Sequence, residues 1–453
     1  MAGPGVNAKM TPRTLFLAGL LAWPLAASAA APCPDLPASP SLANLVERAL
    51  CASPDTRAAW QRTRTQQAQV GIAQAGYYPT LNASASRTRN LIDPPAGSLI
   101  AREQTRLALT ADWLLWDFGG RRAGLDSARQ TLAALQATAD ARSRLVAQQV
   151  LQAAFEQLSG EAALAAADEA VRAAEETVKA TRQRLQVGSA TREDELQALT
   201  ALANARLTRV QRSGDLAAAR GRLALAVGYP AGTPVSPSLP LPASLPAPPP
   251  LEQLQAEAVR QRPELAAQQQ LIAAANNDLD RIAAQAMPRL SLGLTEGETR
   301  DALFGTRTTR QVGITATLPL FTGFQQRNQE AAARSQIDQQ GIELDRLRLQ
   351  VSQDVWQAWH LLATAQARSE AADTLLAAAS ETLRAARARY QAGLGNLLNV
   401  LNAQNSLADA RQQQASARHA WAAARLQLAQ ASGLLLQDPE ALLRATTAES
   451  VTP

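Results

Sequence analysis

The sequence predicts an α+β membrane protein made of two internal repeats, each a β-hairpin joined to long coiled helices. Three observations carry that expectation. Arg184, Gly188, Leu196, Ala205, Arg206, Ala224 and Gly228 each find an identical residue 205 positions later, so a turn followed by a helix is duplicated. Two pairs of segments alternate apolar and polar residues, the period of a strand buried on one face. No proline occurs between Gly120 and Pro230, or between Pro319 and Pro439, which leaves room for very long helices.

Composition agrees with these patterns. The 453 residues are 46% hydrophobic but only 4% aromatic, with alanine and glutamine throughout, which favours helices packed through small side chains. The formal charge of +5 comes from arginines scattered among acidic residues, which reads as solvated helix faces and not as a nucleic-acid footprint.

Residues 1–29 read as a secretory signal peptide: Lys9 and Arg13 precede an apolar run that ends in small residues near Ala29. No later run approaches the roughly 18 apolar residues of a membrane helix, so membrane insertion falls to strands. Cys33 and Cys51 lie near the mature N-terminus, where an oxidising compartment favours pairing them. Lipidation of Cys33 is the alternative, although Pro32 stands where that motif wants Gly or Ala.

The first repeat spans 30–228. Ser53 followed by Pro54 marks a helix start, and Pro79 a stop. Strands are expected at about 79–91 and 104–117, with Leu107, Leu109, Ala111, Trp113 and Leu115 sharing an apolar face. Gly120 to Val187 then reads as one helix of about 100 Å. Gly188 turns the chain into a second helix ending near Gly228. Residues 229–250 are too proline-rich for helix or central strand and form a linker.

The second repeat, 251–433, replays this order. Pro263 and Pro288 match Pro54 and Pro79 at an offset of 209, strands are expected at about 288–297 and 309–321, and Gly393 and Gly395 mark the turn. The change of offset from 209 to 205 falls in the hairpin loop, where length is tolerated. Residues 434–453 form a C-terminal tail.

Four amphipathic strands cannot close a barrel, and open edges are not tolerated in a bilayer. Closure therefore needs several chains: a dimer supplies eight strands with a filled interior, a trimer twelve strands with a lumen.

The duplicated helix–hairpin–helix–turn–helix, the WDFGG and LPLFTG strand ends, and the turn sequences around Gly188 and AGLGNLLNVLNAQ resemble the TolC family of outer-membrane channels. The resemblance covers about 42–433. It implies a homotrimer with one 12-stranded β-barrel among outer-membrane lipid, standing on an α-helical barrel that crosses the periplasm. It further implies a periplasmic adaptor (membrane fusion) protein and an inner-membrane RND or ABC transporter as partners, for drug efflux or type I protein secretion, with no cofactor. Carried over by position, Tyr390 and Asp194 become a hydrogen-bonded periplasmic gate pair. Packing of Tyr390 at a helix end with Asp194 solvated is the plainer reading. Asn399 and Asn402 stand where studied members carry an acidic ring, and Gly395 replaces an inter-chain arginine, so the resemblance implies a constriction with weak cation selectivity.

Two other readings compete. A periplasmic helical adaptor would have soluble β domains flanking one hairpin, and a structural coiled coil has no use for amphipathic strands. An enzyme is not expected: the only histidines, His360 and His419, lie in helical stretches without ligand or catalytic spacing, and Trp356 and Trp359 read as packing residues.

Overall fold

The protein is described by a computed structural model over residues 33–92, 100–238, 249–301 and 305–434. The signal peptide, the middle of the proline-rich linker and the C-terminal tail lie outside the described residues. Both cysteines are in the disulfide form.

The chain begins with α1 (Leu42–Ala52) and α2 (Pro54–Ala75). Their junction is written in the sequence: Ser53 Oγ accepts the Asp55 amide at 3.2 Å, and Pro54 occupies the first helical position, where an N–H would be unpaired anyway. A hairpin follows, β1 (Thr80–Ile92) and β2 (Ile100–Trp116), and then α3 (Gly120–Gln186) and α4 (Arg192–Ala226). After the linker come α5 (Leu251–Gln261), α6 (Pro263–Ala284), β3 (Arg289–Asp301), β4 (Gly305–Thr317), α7 (Gln325–Gln391) and α8 (Leu397–Ala431). The helices before each hairpin repeat at 209 positions and those after it at 205.

The strands depart from their sequence boundaries for a physical reason. β2 starts at Ile100, not 104, and β3 reaches Asp301, not 297. In both extensions polar residues occupy both faces, so the period of two is silent although the backbone ladder continues. β4 runs from Gly305 to Thr317 and stops before Pro319, which has no N–H to give the ladder. The two hairpins join through β2 and β3 into one antiparallel sheet of order β1-β2-β3-β4, leaving β1 and β4 as edges.

Register sorts the sheet into two faces. Leu81, Ala111, Leu294 and Val312 form one row, and Trp113, Leu292 and Ile314 another on the same side. Asn82, Thr110, Thr295 and Gln311 form a row on the opposite, polar side. Leu81, Trp113, Val312 and Ile314 are exposed. At the corners into α3 and α7, Phe118 and Phe324 adopt left-handed backbone (φ 53° and 65°). They meet Trp116 and Phe321 edge-on at 6.0 and 5.6 Å, and all four aromatics are exposed at the foot of the strands. Arg121 locks the first corner: its backbone N–H donates to Asp117 at 2.6 Å, while its guanidinium donates to the carbonyls of Leu114 and Leu115.

The helices lie side by side in the order of the strands. Nearest the sheet the sequence is α2, α3, α6, α7; farther away it is α4, α3, α8, α7. The 67-residue α3 and α7 run the full length, about 100 Å, while α2 with α4 and α6 with α8 share the other two positions. Ala139, Val146, Ala153, Ala167, Ala174 and Thr181 on α3 are buried at seven-residue multiples, as are Leu344, Val351, Ala358, Ala365, Ala372 and Ala379 on α7. Small residues on a strict seven-residue repeat bring helices close and coil them left-handedly. Where the end-to-end pairs meet, α1, α5 and the linker enclose the largest core, including Leu45, Leu151, Phe155, Val355 and the fully buried Trp421.

That junction depends on two glycines. Gly228 (φ +84°) lies where a Cβ would come within 2.4 Å of Ala52 Cβ, and Gly433 (φ +87°) where it would meet Gln261 Cβ at 2.9 Å. Left-handed strain and overpacking add at these positions. Gly228→Ala and Gly433→Ala are each expected to cost roughly 2–4 kcal/mol and to lower the thermal midpoint followed by circular dichroism. Gly232→Ala, where nothing lies within 4 Å, should leave it unchanged.

Candidate functional site

The residues singled out by the duplicated turn sit at the free ends of the long helices, away from the sheet. α3 and α7 end with the same device. Gly188 (φ +77°) and Gly393 (φ +75°) take the left-handed conformation, and the amides of Ser189 and Leu394 donate back to the carbonyls of Arg184 and Arg389 at 2.8 and 2.9 Å. This satisfies carbonyls that a helix end leaves open and reverses the chain within a few residues. Gly395 has no such backbone need; a Cβ there would lie in ordinary contact with Arg389 and Tyr390.

No hydrogen bond joins Tyr390 to Asp194 among the described residues. Asp194 is occupied locally: its carboxylate accepts the Thr191 amide and hydroxyl, both at 2.8 Å, and its own amide donates to the Thr191 hydroxyl at 3.1 Å. This reciprocal capping box closes the start of α4. Tyr390 is tied to the first turn by Arg184 instead. The guanidinium stands 4.3 Å from the ring centroid and donates to the Tyr390 carbonyl at 3.3 Å. The ring also packs against the two small apolar clusters near the turns, one centred on Val178, Ala198 and Leu397, the other on Leu383, Val400 and Leu407. Arg184 was visible in the sequence only as a repeated residue; its partner depends on the α3–α8 seam, which local pattern does not encode.

The two turns differ electrostatically. Glu195 is buried at the start of α4, where Arg182 donates to it at 3.0 Å and Arg192 forms a second ion pair. The Arg182 hydrogen bond leads in holding the Glu195 carboxyl below its ordinary range, against the opposing effect of burial and with the Arg192 charge assisting. Glu193, Asp194 and Glu195 all complement the positive end of α4. The second turn has no acidic residue in the first turn of α8. The Asn399 amide donates to the Asn396 cap at 3.0 Å, and Asn399, Asn402, Leu394 and Leu398 are exposed.

Farther along the seam, Gln404 donates to the Thr177 hydroxyl at 2.9 Å and Arg411 pairs with Glu169. With Arg184–Tyr390 these contacts tie α3 to the second repeat along the half of the bundle remote from the sheet. A cation–π contact at an exposed site is worth about 0.5–1 kcal/mol, and a cap about 1 kcal/mol. Ties of this size hold a conformation and can be reversed by a partner. Elsewhere, His360 lies between Trp356 and Trp359, at 4.3 and 4.9 Å, and Trp359 donates to the Pro249 carbonyl, which makes this group part of the packing of α7.

Comparison with known proteins places this geometry. The family model described as outer membrane efflux protein matches residues 45–229 and 254–434, nearly the whole described chain. Protein CyaE of Bordetella pertussis is 30% identical over 424 residues, covering 90% of this chain and 88% of the relative. The cation efflux system protein CusC of Escherichia coli is 27% identical over 81% of each chain. Among solved structures, the outer membrane protein VceC of Vibrio cholerae superposes with a TM-score of 0.75 at 22% identity, covering 86% of this chain and 96% of that one, a likeness of fold. The chain belongs to the outer membrane efflux protein family, whose members are the TolC-like channels of the bacterial outer membrane.

Proposed function

We propose that three copies of this chain close into a ring whose twelve strands form an outer-membrane pore and whose helices form the conduit beneath it. The protein is an outer-membrane exit duct of a tripartite export system, with its helices in the periplasm. The observation that carries the ring is the match between the two edges of the protomer. One edge runs along α2, α4 and β1; the other runs along α7 and β4. On α7, Ile342, Leu349 and Trp356 recur every seven residues and are exposed; on the opposite edge Trp60, Ile72, Leu207 and Val210 are exposed. Unlike edges that complement each other generate a closed head-to-tail ring. Pairing β4 with the next β1 also removes the last open ladder.

A periplasmic adaptor and an inner-membrane RND or ABC transporter complete the assembly in this reading, with drugs or secreted proteins as cargo. The turns at the far end of α3 and α7 are its entrance. The gate is held within each chain by Arg184 against Tyr390, with the Asp194 capping box and the Glu195 ion pairs keeping the first turn rigid. Asn399 and Asn402 line a polar, uncharged constriction. A Cys33–Cys51 disulfide fastens the start of the mature chain.

The purified protein in detergent should have the mass of a trimer by light scattering, and Leu349→Glu combined with Trp356→Glu should shift it to monomer. A monomeric wild type would remove the basis of the ring. At the entrance the aromatic ring, not the hydroxyl, makes the contact. Tyr390→Phe should therefore leave single-channel conductance unchanged, while Tyr390→Ala or Arg184→Ala should raise it; a rise with Tyr390→Phe would restore a hydroxyl bond as the tie. Because the folded Glu195 value is depressed, its contribution is fully present above the ordinary glutamate range near about pH 4.3 and is lost as pH falls through the folded value. Hydrogen exchange of 184–198 should accelerate in that acid window in the wild type, and Glu195→Gln should flatten the dependence.

A further inference from the structure

The polar side of the sheet brings two arginines onto one row. Arg106 on β2, Thr299 on β3 and Arg307 on β4 occupy a single row, and Ser86 extends it onto β1. Strands lie about 4.8 Å apart, so the two arginines spring from the same face about 10 Å from each other. Both are exposed, and among the described residues neither guanidinium has an acidic partner. The other charged residues described on this face are Asp301, Asp112 and Arg289. Asp301 is buried and already engaged in an interaction of its own. Asp112 stands six residues nearer the helices along β2, about 20 Å away, well beyond the roughly 8 Å over which charge is screened at physiological salt. Arg289 is farther still and of the same sign as the pair.

We propose that Arg106 and Arg307 form a basic girdle inside the barrel that makes the pore favour anionic solutes. The inference rests on the trimeric channel reading above, which turns two arginines per chain into six around one lumen. Twelve tilted strands put the barrel wall about 12 Å from its axis, and an extended arginine brings its charge to within roughly 6 Å of that axis, inside the screening length. Rings of arginine select anions as rings of carboxylate select cations. The planar guanidinium suits carboxylate and phosphate groups in particular, which gives the chemical class of cargo the girdle admits most readily. With uncharged Asn399 and Asn402 at the turns, the girdle and not the entrance sets the sign of the charge preference.

The test is the reversal potential of the full-length protein in planar bilayers under a potassium chloride gradient. The wild type should pass chloride in preference to potassium. Arg106→Gln with Arg307→Gln should lower the chloride-to-potassium permeability ratio several-fold. Arg87→Gln with Arg310→Gln, on the opposite face of β1 and β4, should leave it unchanged. Conductance that prefers cations in the wild type, or a ratio indifferent to the loss of both girdle arginines, overturns the girdle while leaving the channel intact. Absence of wild-type conductance overturns the channel reading and the girdle together.

Discussion

An unpaired backbone amide or carbonyl in hydrocarbon costs several kcal/mol, and a strand edge presents a whole row of them. This constraint shapes the protomer. Its sheet has four strands, an apolar band on one face and two open edges. In water such an object would invite aggregation; in a bilayer it could not exist alone. The helical layer repeats the situation in another currency of contact. Side chains on α7 and on the α2–α4 edge are apolar and uncovered, in the same lateral order as the strands. The incompleteness of the single chain is therefore coherent from sheet to turn, and a ring satisfies backbone and side chains at once.

How much of this could be read from the sequence follows from the range of each interaction. Duplication, helix starts at Pro54 and Pro263, and the turn glycines are local, and the residues that impose them sit beside the structure they cause. Strand length was legible only where one face is apolar; Ile100–Gln104 and Gly297–Asp301 continue the backbone ladder but carry no periodic signal. Asp194 is the instructive case. Thr191 and Asp194 at a spacing of three before a helical run form a capping-box signature, and that local use claims the carboxylate before any distant tyrosine can. Arg184 against Tyr390 is the opposite case, since residues 206 apart meet only through the α3–α8 seam.

Duplication gave two turns of one geometry, and divergence gave them different strengths. The first is fixed by a reciprocal cap, two arginines on a buried glutamate and three acidic residues facing the positive end of α4. The second rests on one asparagine cap, with leucines and asparagines exposed around it. Local opening begins where few contacts resist it. The second turn, joined to the first through Tyr390, is thus the weaker partner of the pair, and a ligand or protein that competes for the Arg184 contact acts where resistance is lowest.

The end-to-end helix pairs also make the bundle a ruler. Because α3 and α7 run unbroken beside α2–α4 and α6–α8, the reach of the conduit is counted in residues at four places that must agree. Adding one heptad lengthens a helix by about 10 Å, but it keeps the seams in register only if α3, α4, α7 and α8 all receive it. Hairpin tips obey no such rule, as the change of offset from 209 to 205 across the hairpins records. Length in this architecture is free to drift at the cell surface and quantised across the periplasm.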